Sequence, residues 1–359
     1  MGFSSVTLCS FRNLKEQTLD LSRKNIYLVG NNGQGKTNFL EMIYYLCYAA
    51  SFRTKNEKIL IKNDAEYLNI SAKFHHSNDK ISSSIKLYQD KHQKKIKLNG
   101  KLVRDRKDII SNFPCVVFCH NDLYFVNGSP EKKRIYLDQC ISLNDSIFIT
   151  YLRNYKKILK ERNMLLKNKK IELLDVYTHQ LIETGYPIQE KRRELIQFLN
   201  EKFDTIYSEI SGISENLKIV YNSSWKKSGK SKILEDIWQK KIKEIQYGIT
   251  LTGPHRDSFS IMMGSNDYLN FASTGQLRII SLILRILQSE YYQISTGRLP
   301  VLLVDDVLLE LDSEKRERMM KFFPRYEQIF YTFLPDDMIT SSENSITYRV
   351  NNGLLEKIE

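Results

Sequence analysis

The hydrophobic pattern of this chain changes period twice. Over the first 119 positions, apolar and polar residues alternate in short runs such as "EYLNISAKF" and "KISSSIKLY", which predicts half-buried strands. "KKIKLNGKLV" sets Asn99-Gly100 between two such runs, the signal for a tight hairpin. One early segment, "TNFLEMIYYLC", follows helical spacing instead. From Ser129 the period lengthens. "SPEKKRIYLDQCISL" offers Ser129 as an N-cap and Pro130 at the first helical position. The stretch after it puts Tyr151, Tyr155, Ile158, Leu159, Arg162, Leu165 and Leu166 on one helical stripe. Helical patterning is expected to about Gln246, broken by "TGYP" near residue 185 and by "SSWKKSGKSK" near 227. Beyond it come an apolar strand in "LPVLLV", an acidic loop, a helix, the strand "EQIFYTF" and a final pair, "SITYRV" and "LLEKIE". The expected architecture is a mixed α/β head, residues 1–128 and 247–359, with a helical domain inserted at 129–246.

Composition adds bounds to this outline. A length of 359 residues suffices for two or three domains, and 42% hydrophobic with 27% charged residues is ordinary for a globular protein. No apolar run reaches 18 residues, since "IISLILRIL" is interrupted by Arg285, so no membrane span is predicted. The N-terminus lacks a basic start followed by a long apolar block, so no signal peptide is predicted. Five scattered cysteines argue against a disulfide framework and for a reducing, cytoplasmic setting. Cys115, Cys119 and His120 have a metal-like spacing. Cys115, Val117 and Cys119 nevertheless fall on one face of a strand, and packing is the preferred expectation. The net charge of +12 has two readings, affinity for a polyanion such as nucleic acid or a lysine-rich composition. The hairpin lysines divide the same way, between tracking a phosphate backbone and protecting an exposed edge.

The chemistry lies in "YLVGNNGQGKTNFLEMIYYL", where Gly30, Asn31, Asn32, Gly33, Gln34, Gly35, Lys36 and Thr37 separate a strand from a helix. Gly30, Gly35, Lys36 and Thr37 fit G-x-x-x-x-G-K-[ST]. In that pattern backbone N–H groups cradle phosphates, the lysine charges the β/γ oxygens and the hydroxyl meets Mg²⁺. A nucleotide site of this kind needs a second acidic anchor, and "VLLVDD" supplies Asp305 for the metal shell. Asp306 beside it is expected to orient or deprotonate the attacking water, so Lys36, Asp305 and Asp306 form the expected catalytic set. Ser273, Gly275 and Gln276 in "FASTGQLRIISL" precede an apolar helix, either as an ordinary cap or as a second anion-seeking helix start.

With these residues in view, the chain resembles the RecF family of recombination mediators, among the ABC-type ATPases that include SMC proteins. The resemblance rests on the phosphate loop, "SFRT" at 51–54, "GSPEKKRIYLD" at 128–138, "TGPHRD" at 252–257, "STGQ" at 273–276 and "LLVDDVLLELD" at 302–312. It implies an ABC-type P-loop head with a short helical domain, ATP and Mg²⁺ as ligands, and a homodimer closed by ATP. It further implies DNA binding (single-stranded, duplex or junction) and RecA loading at gaps with RecR and RecO. Carried over by position, Gly30 to Thr37 bind phosphates, Thr37 and Asp305 hold Mg²⁺, and Ser273 to Gln276 contact the γ-phosphate held by the other subunit. Asp312 would line the dimer interface and Arg12 would approach the nucleotide.

Two departures are visible. "CHNDLYF" lacks the proline that relatives carry, and Thr332 stands where a switch histidine is expected, which predicts slow, weak ATP hydrolysis. Without the family, His255, Arg256 and Asp257 look like a surface salt-bridge cluster; with it, they move toward ATP or DNA. A transporter ATPase is disfavoured, because a basic helical block separates Lys36 from Asp305. An SMC-like scaffold remains the alternative.

Overall fold

A computed structural model describes residues 2–75, 82–226, 229–308, 310–336 and 343–358. The chain forms two compact units, Met1–His120 with Gln288–Glu359, and Asn121–Leu287.

The first unit contains two six-stranded sheets. One has the order Leu354–Lys357, Ser345–Asn351, Asn25–Val29, Gln328–Phe333, Val301–Val304, Cys115–Phe118. Its pairs are parallel except at the Leu354–Lys357 edge. Cys115–Phe118 and Val301–Val304 are buried at every position, as parallel strands covered on both faces must be. The other sheet is antiparallel throughout, and Tyr67–His75 within it buries alternate side chains, as its sequence pattern predicts.

The helix Lys36–Tyr48 contributes Phe39, Leu40, Met42, Ile43, Tyr45 and Leu46 to one apolar cluster that also takes in side chains of both sheets. Cys47, Cys115 and Cys119 belong to that cluster, with Val117 beside them, so these thiols pack as small hydrophobes. The predicted hairpin is present. Lys94–Leu98 pairs with Lys101–Leu102 through Asn99 at φ 50° and Gly100 at φ 80°, the left-handed pair that matches strand twist.

The second unit packs the helices Pro130–Asn144, Ser146–Lys167, Leu174–Asn200, Phe203–Ser211 and Lys230–Tyr247 with a three-stranded sheet. Three features differ from the sequence expectation. "TGYP" does not break the helix: Leu174–Asn200 runs through Pro187. Gly185 is there for space, since a Cβ would lie 2.7 Å from the Trp225 ring and 2.8 Å from Tyr155. Leu217–Asn222, inside the block read as helical, is a strand. It pairs antiparallel with Ser258–Met263 from Ser258↔Asn222 to Met263↔Leu217. That pairing carries residues past 246 into the second unit, which is why its extent differs from 129–246.

Candidate nucleotide site

The phosphate loop leaves a strand held on both sides. Asn25–Val29 pairs in parallel with Gln328–Phe333 and with Ser345–Asn351. The loop then turns through Gly33 at φ 80° and Gly35 at φ 120°, conformations that favour glycine. Gly30 is required for another reason: a Cβ there would sit 2.4 Å from the Val350 carbonyl oxygen. Lys36, nearly buried, donates from Nζ to the Gly30 carbonyl at 2.6 Å and so holds its ammonium over the loop.

A cleft of about 240 Å³ opens beside the loop, lined by Asn31, Asn32, Gly33, Gly35, Lys36, Thr37 and Asn38 together with Arg53 and Asp306. Gln34 does not line it. Its side-chain oxygen accepts from the Asn352 N–H at 2.7 Å instead.

The two acidic candidates end the strand Val301–Val304 and meet the loop. Thr37 Oγ1 donates to Asp305 Oδ1 at 2.8 Å across 268 residues of sequence. Burial pushes the Asp305 carboxyl up to about 6, opposed by the Thr37 hydrogen bond and reinforced by the neighbouring Asp306 charge. A buried carboxylate beside a hydroxyl is a hard-oxygen pair suited to a divalent cation, so the residues present fit Mg²⁺. Asp306 sits at φ 56°, uncommon for a non-glycine residue. Thr332 pins it twice: the hydroxyl donates to Asp306 Oδ1 at 2.6 Å and accepts from the Asp306 N–H at 2.8 Å.

Sequence reasoning named Arg12 but missed Glu41, the carboxylate that holds it. Glu41 is fully buried and receives Arg12 through two hydrogen bonds, Nε to Oε2 at 2.7 Å and Nη2 to Oε1 at 2.9 Å. Arg53 reaches the same carboxylate at 3.3 Å and Asn38 Oδ1 at 2.7 Å, and the Ser51 hydroxyl also donates to Glu41. Such a bidentate pair fixes guanidinium orientation as well as charge. Arg53 thereby brings a cation to the phosphate cleft. The "SFRT" segment was its only signal in the sequence.

Ser273, Gly275 and Gln276 fall in the second unit, at the start of the helix Thr274–Thr296. Ser273 N–H donates to Gln276 Oε1 at 2.7 Å and Gln276 N–H to Ser273 Oγ at 3.3 Å, a reciprocal capping box that leaves Ser273 and Gly275 exposed. Asp312 caps the helix Ser313–Lys321 by accepting from the Lys315 N–H at 2.8 Å.

"TGPHRD" is not a surface salt-bridge cluster. Asp257 is fully buried and accepts from Gln189 at 2.9 Å, the Ser224 N–H at 2.7 Å, Tyr221 at 2.5 Å and Arg192 at 3.4 Å. His255 hydrogen-bonds Tyr155 at 2.6 Å, and burial lowers its pKa to about 4. Arg256 alone stays exposed. Of the hairpin lysines, Lys94 is occupied, donating to the Ala49 carbonyl at 2.8 Å and pairing with Glu57. Lys95, Lys97 and Lys101 are exposed. Among the described residues, no group of three or more metal-ligating side chains gathers, and no helix is long and apolar enough to cross a membrane.

Residues 3–355 match the family model described as RecF/RecN/SMC N-terminal domain. The DNA replication and repair protein RecF of Treponema pallidum is 37% identical over 350 residues, 97% of this chain and 99% of that protein. That of Halalkalibacterium halodurans is 34% identical over 371 residues, 99% of this chain and all of that one. A solved structure of the recombination mediator protein RecF with ATP, in the RecFOR pathway, aligns with a TM-score of 0.90 at 29% identity. It covers 100% of this chain and 98% of its own. An Smc head bound to the C-terminal winged-helix domain of ScpA shares the fold alone, at a TM-score of 0.58 and 16% identity. Matched over nearly its whole length by the family model and by RecF proteins of other bacteria, this chain belongs to the RecF family.

Proposed function

We propose that the chain is an ATP-dependent DNA-binding protein of recombinational repair and replication, acting as its RecF relatives are named to act. The observation that carries this reading is the 2.8 Å bond from Thr37 to Asp305, which joins a phosphate-binding loop to a strand-end carboxylate. Loop N–H groups and Lys36 hold the phosphates, and Arg53 adds positive charge. Thr37 and Asp305 hold Mg²⁺, which when bound neutralises charge on the phosphate oxygens. Asp306, pinned by Thr332, orients the attacking water. The hydroxyl of Thr332 cannot take the part of a switch histidine, so ATP turnover is slow and serves as a switch. The exposed Ser273–Gly275 turn meets the γ-phosphate held by a second copy, so that ATP closes a homodimer. The closed dimer grips DNA mainly through phosphates and works with RecR and RecO, and through them RecA, in the cytoplasm.

The test is fluorescence anisotropy on single-stranded, duplex and junction DNA with no nucleotide, ADP or a slowly hydrolysed ATP analogue, with sedimentation of the same samples. ATP state is expected to raise DNA affinity and dimer fraction together, and Lys36→Arg to retain binding while losing hydrolysis. DNA binding indifferent to nucleotide would refute the switch.

A further inference from the structure

Gln34, which does not line the phosphate cleft, is held by the C-terminal hairpin. Ser345–Asn351 and Leu354–Lys357 form an antiparallel hairpin whose turn is Asn352 at φ 47° and Gly353 at φ 78°. That turn lies against the phosphate loop. Asn352 N–H donates to Gln34 Oε1 at 2.7 Å, and Gly353 N–H to the Gln34 carbonyl at 2.9 Å. The Gly353 carbonyl accepts in turn from the Lys15 N–H at 2.9 Å and from Gln17 Nε2 at 3.3 Å. The approach is tight: a Cβ on Gly353 would lie 2.0 Å from the Asn13 carbonyl oxygen. One strand earlier, the Val350 carbonyl closes on Gly30, so the hairpin touches the loop at its first glycine and again at Gln34.

We propose that this C-terminal turn is a brace for the phosphate loop, and that Gln34 is a positioning residue whose side chain and carbonyl meet the hairpin and not the nucleotide. The inference rests on the nucleotide reading above. A glycine-rich loop loses much conformational freedom when it is ordered, yet its N–H groups bind an anion well only if already aimed. The brace supplies that order from outside the loop, through two N–H donors that side-chain chemistry at the cleft never uses. Asp305 and Asp306 come from a different strand end, so the brace acts on the nucleotide through the loop and its residues Lys36 and Thr37, not through those carboxylates.

The full chain with Gln34→Ala, Gly353→Ala and Gly297→Ala separates the alternatives. Gly297 shares the left-handed backbone, at φ 67°, with no atom within 4 Å of an added Cβ, so it reports backbone strain alone. Expected for Gln34→Ala is a rise of about three- to tenfold in Kd for Mg·ADP and in KM for ATP. Gly353→Ala should weaken binding at least as much, and Gly297→Ala not at all. Hydrogen exchange of the ligand-free protein should quicken across residues 30–37 in the first two variants only. A folded Gln34→Ala protein with wild-type exchange and affinity overturns the brace, as does an equal effect of all three substitutions. Should Gly353→Ala fail to fold, Gln34→Ala decides. A wild-type chain that binds no nucleotide refutes the nucleotide reading, while the exchange comparison still judges the brace.

Discussion

Asp305 carries a charge in a place that disfavours it, and the cost has a sign that can be checked. In an unfolded chain the carboxyl ionises near pH 4. In the folded protein, burial lifts it to about 6. Between those values the unfolded state has released its proton and the folded state has not, so stability from this group falls as pH rises through the window. Asp305→Asn keeps an oxygen for the Thr37 hydroxyl and removes the charge. It should stabilise the metal-free protein at pH 7 by about 1–3 kcal/mol, read as a higher melting temperature in chelator, with the gain gone below about pH 4. Divalent-cation affinity should vanish in the same variant, and in the wild type should weaken below pH 6. The strand, glycine loop and helix around Lys36 and Thr37, and the apolar strand ending at Asp305, were legible in the sequence because local spacing dictates them. Glu41 and Asp257 were not. A lone acid is usually solvated, and only tertiary structure shows that Arg12 and Arg53 surround one, and Gln189, Tyr221 and Arg192 the other.

At the scale of elements, the alternating strands and the Asn99-Gly100 hairpin followed from period and turn chemistry, which act within a few residues. The failures arose where a neighbour overrode the local signal. Gly185 and Pro187 are helix breakers by propensity. Yet the helix Leu174–Asn200 persists because Trp225 and Tyr155 fill the space that glycine leaves. Gly185→Ala would improve propensity and still harm the protein. Overpacking against two fully enclosed rings should cost about 1–3 kcal/mol, measured by urea unfolding with an unchanged m-value. A more stable variant would contradict the close approach of Gly185 to Trp225 and Tyr155. Leu217–Asn222 was missed for a related reason. Six residues of period two are easily lost among helices, and their strand character is fixed by pairing with Ser258–Met263, distant in sequence.

At the scale of the whole molecule, each of the two units has its own apolar interior, and the thiols are shared between them. Cys47, Cys115 and Cys119 lie in the core of the first unit and Cys140 is buried in the second, while Cys9 is partly exposed. Burial raises the Cys47 and Cys140 pKa values, so neither reacts while its surroundings stay folded. These cysteines therefore act as built-in opening counters, one set per unit. Pulsed alkylation followed by peptide mass spectrometry would modify Cys9 first. The delay before Cys140, compared with the delay before Cys47 and Cys115, gives the free energy of opening each unit separately. Added nucleotide should lengthen the second delay, since any ligand of the phosphate loop is paid for by the unit that contains it.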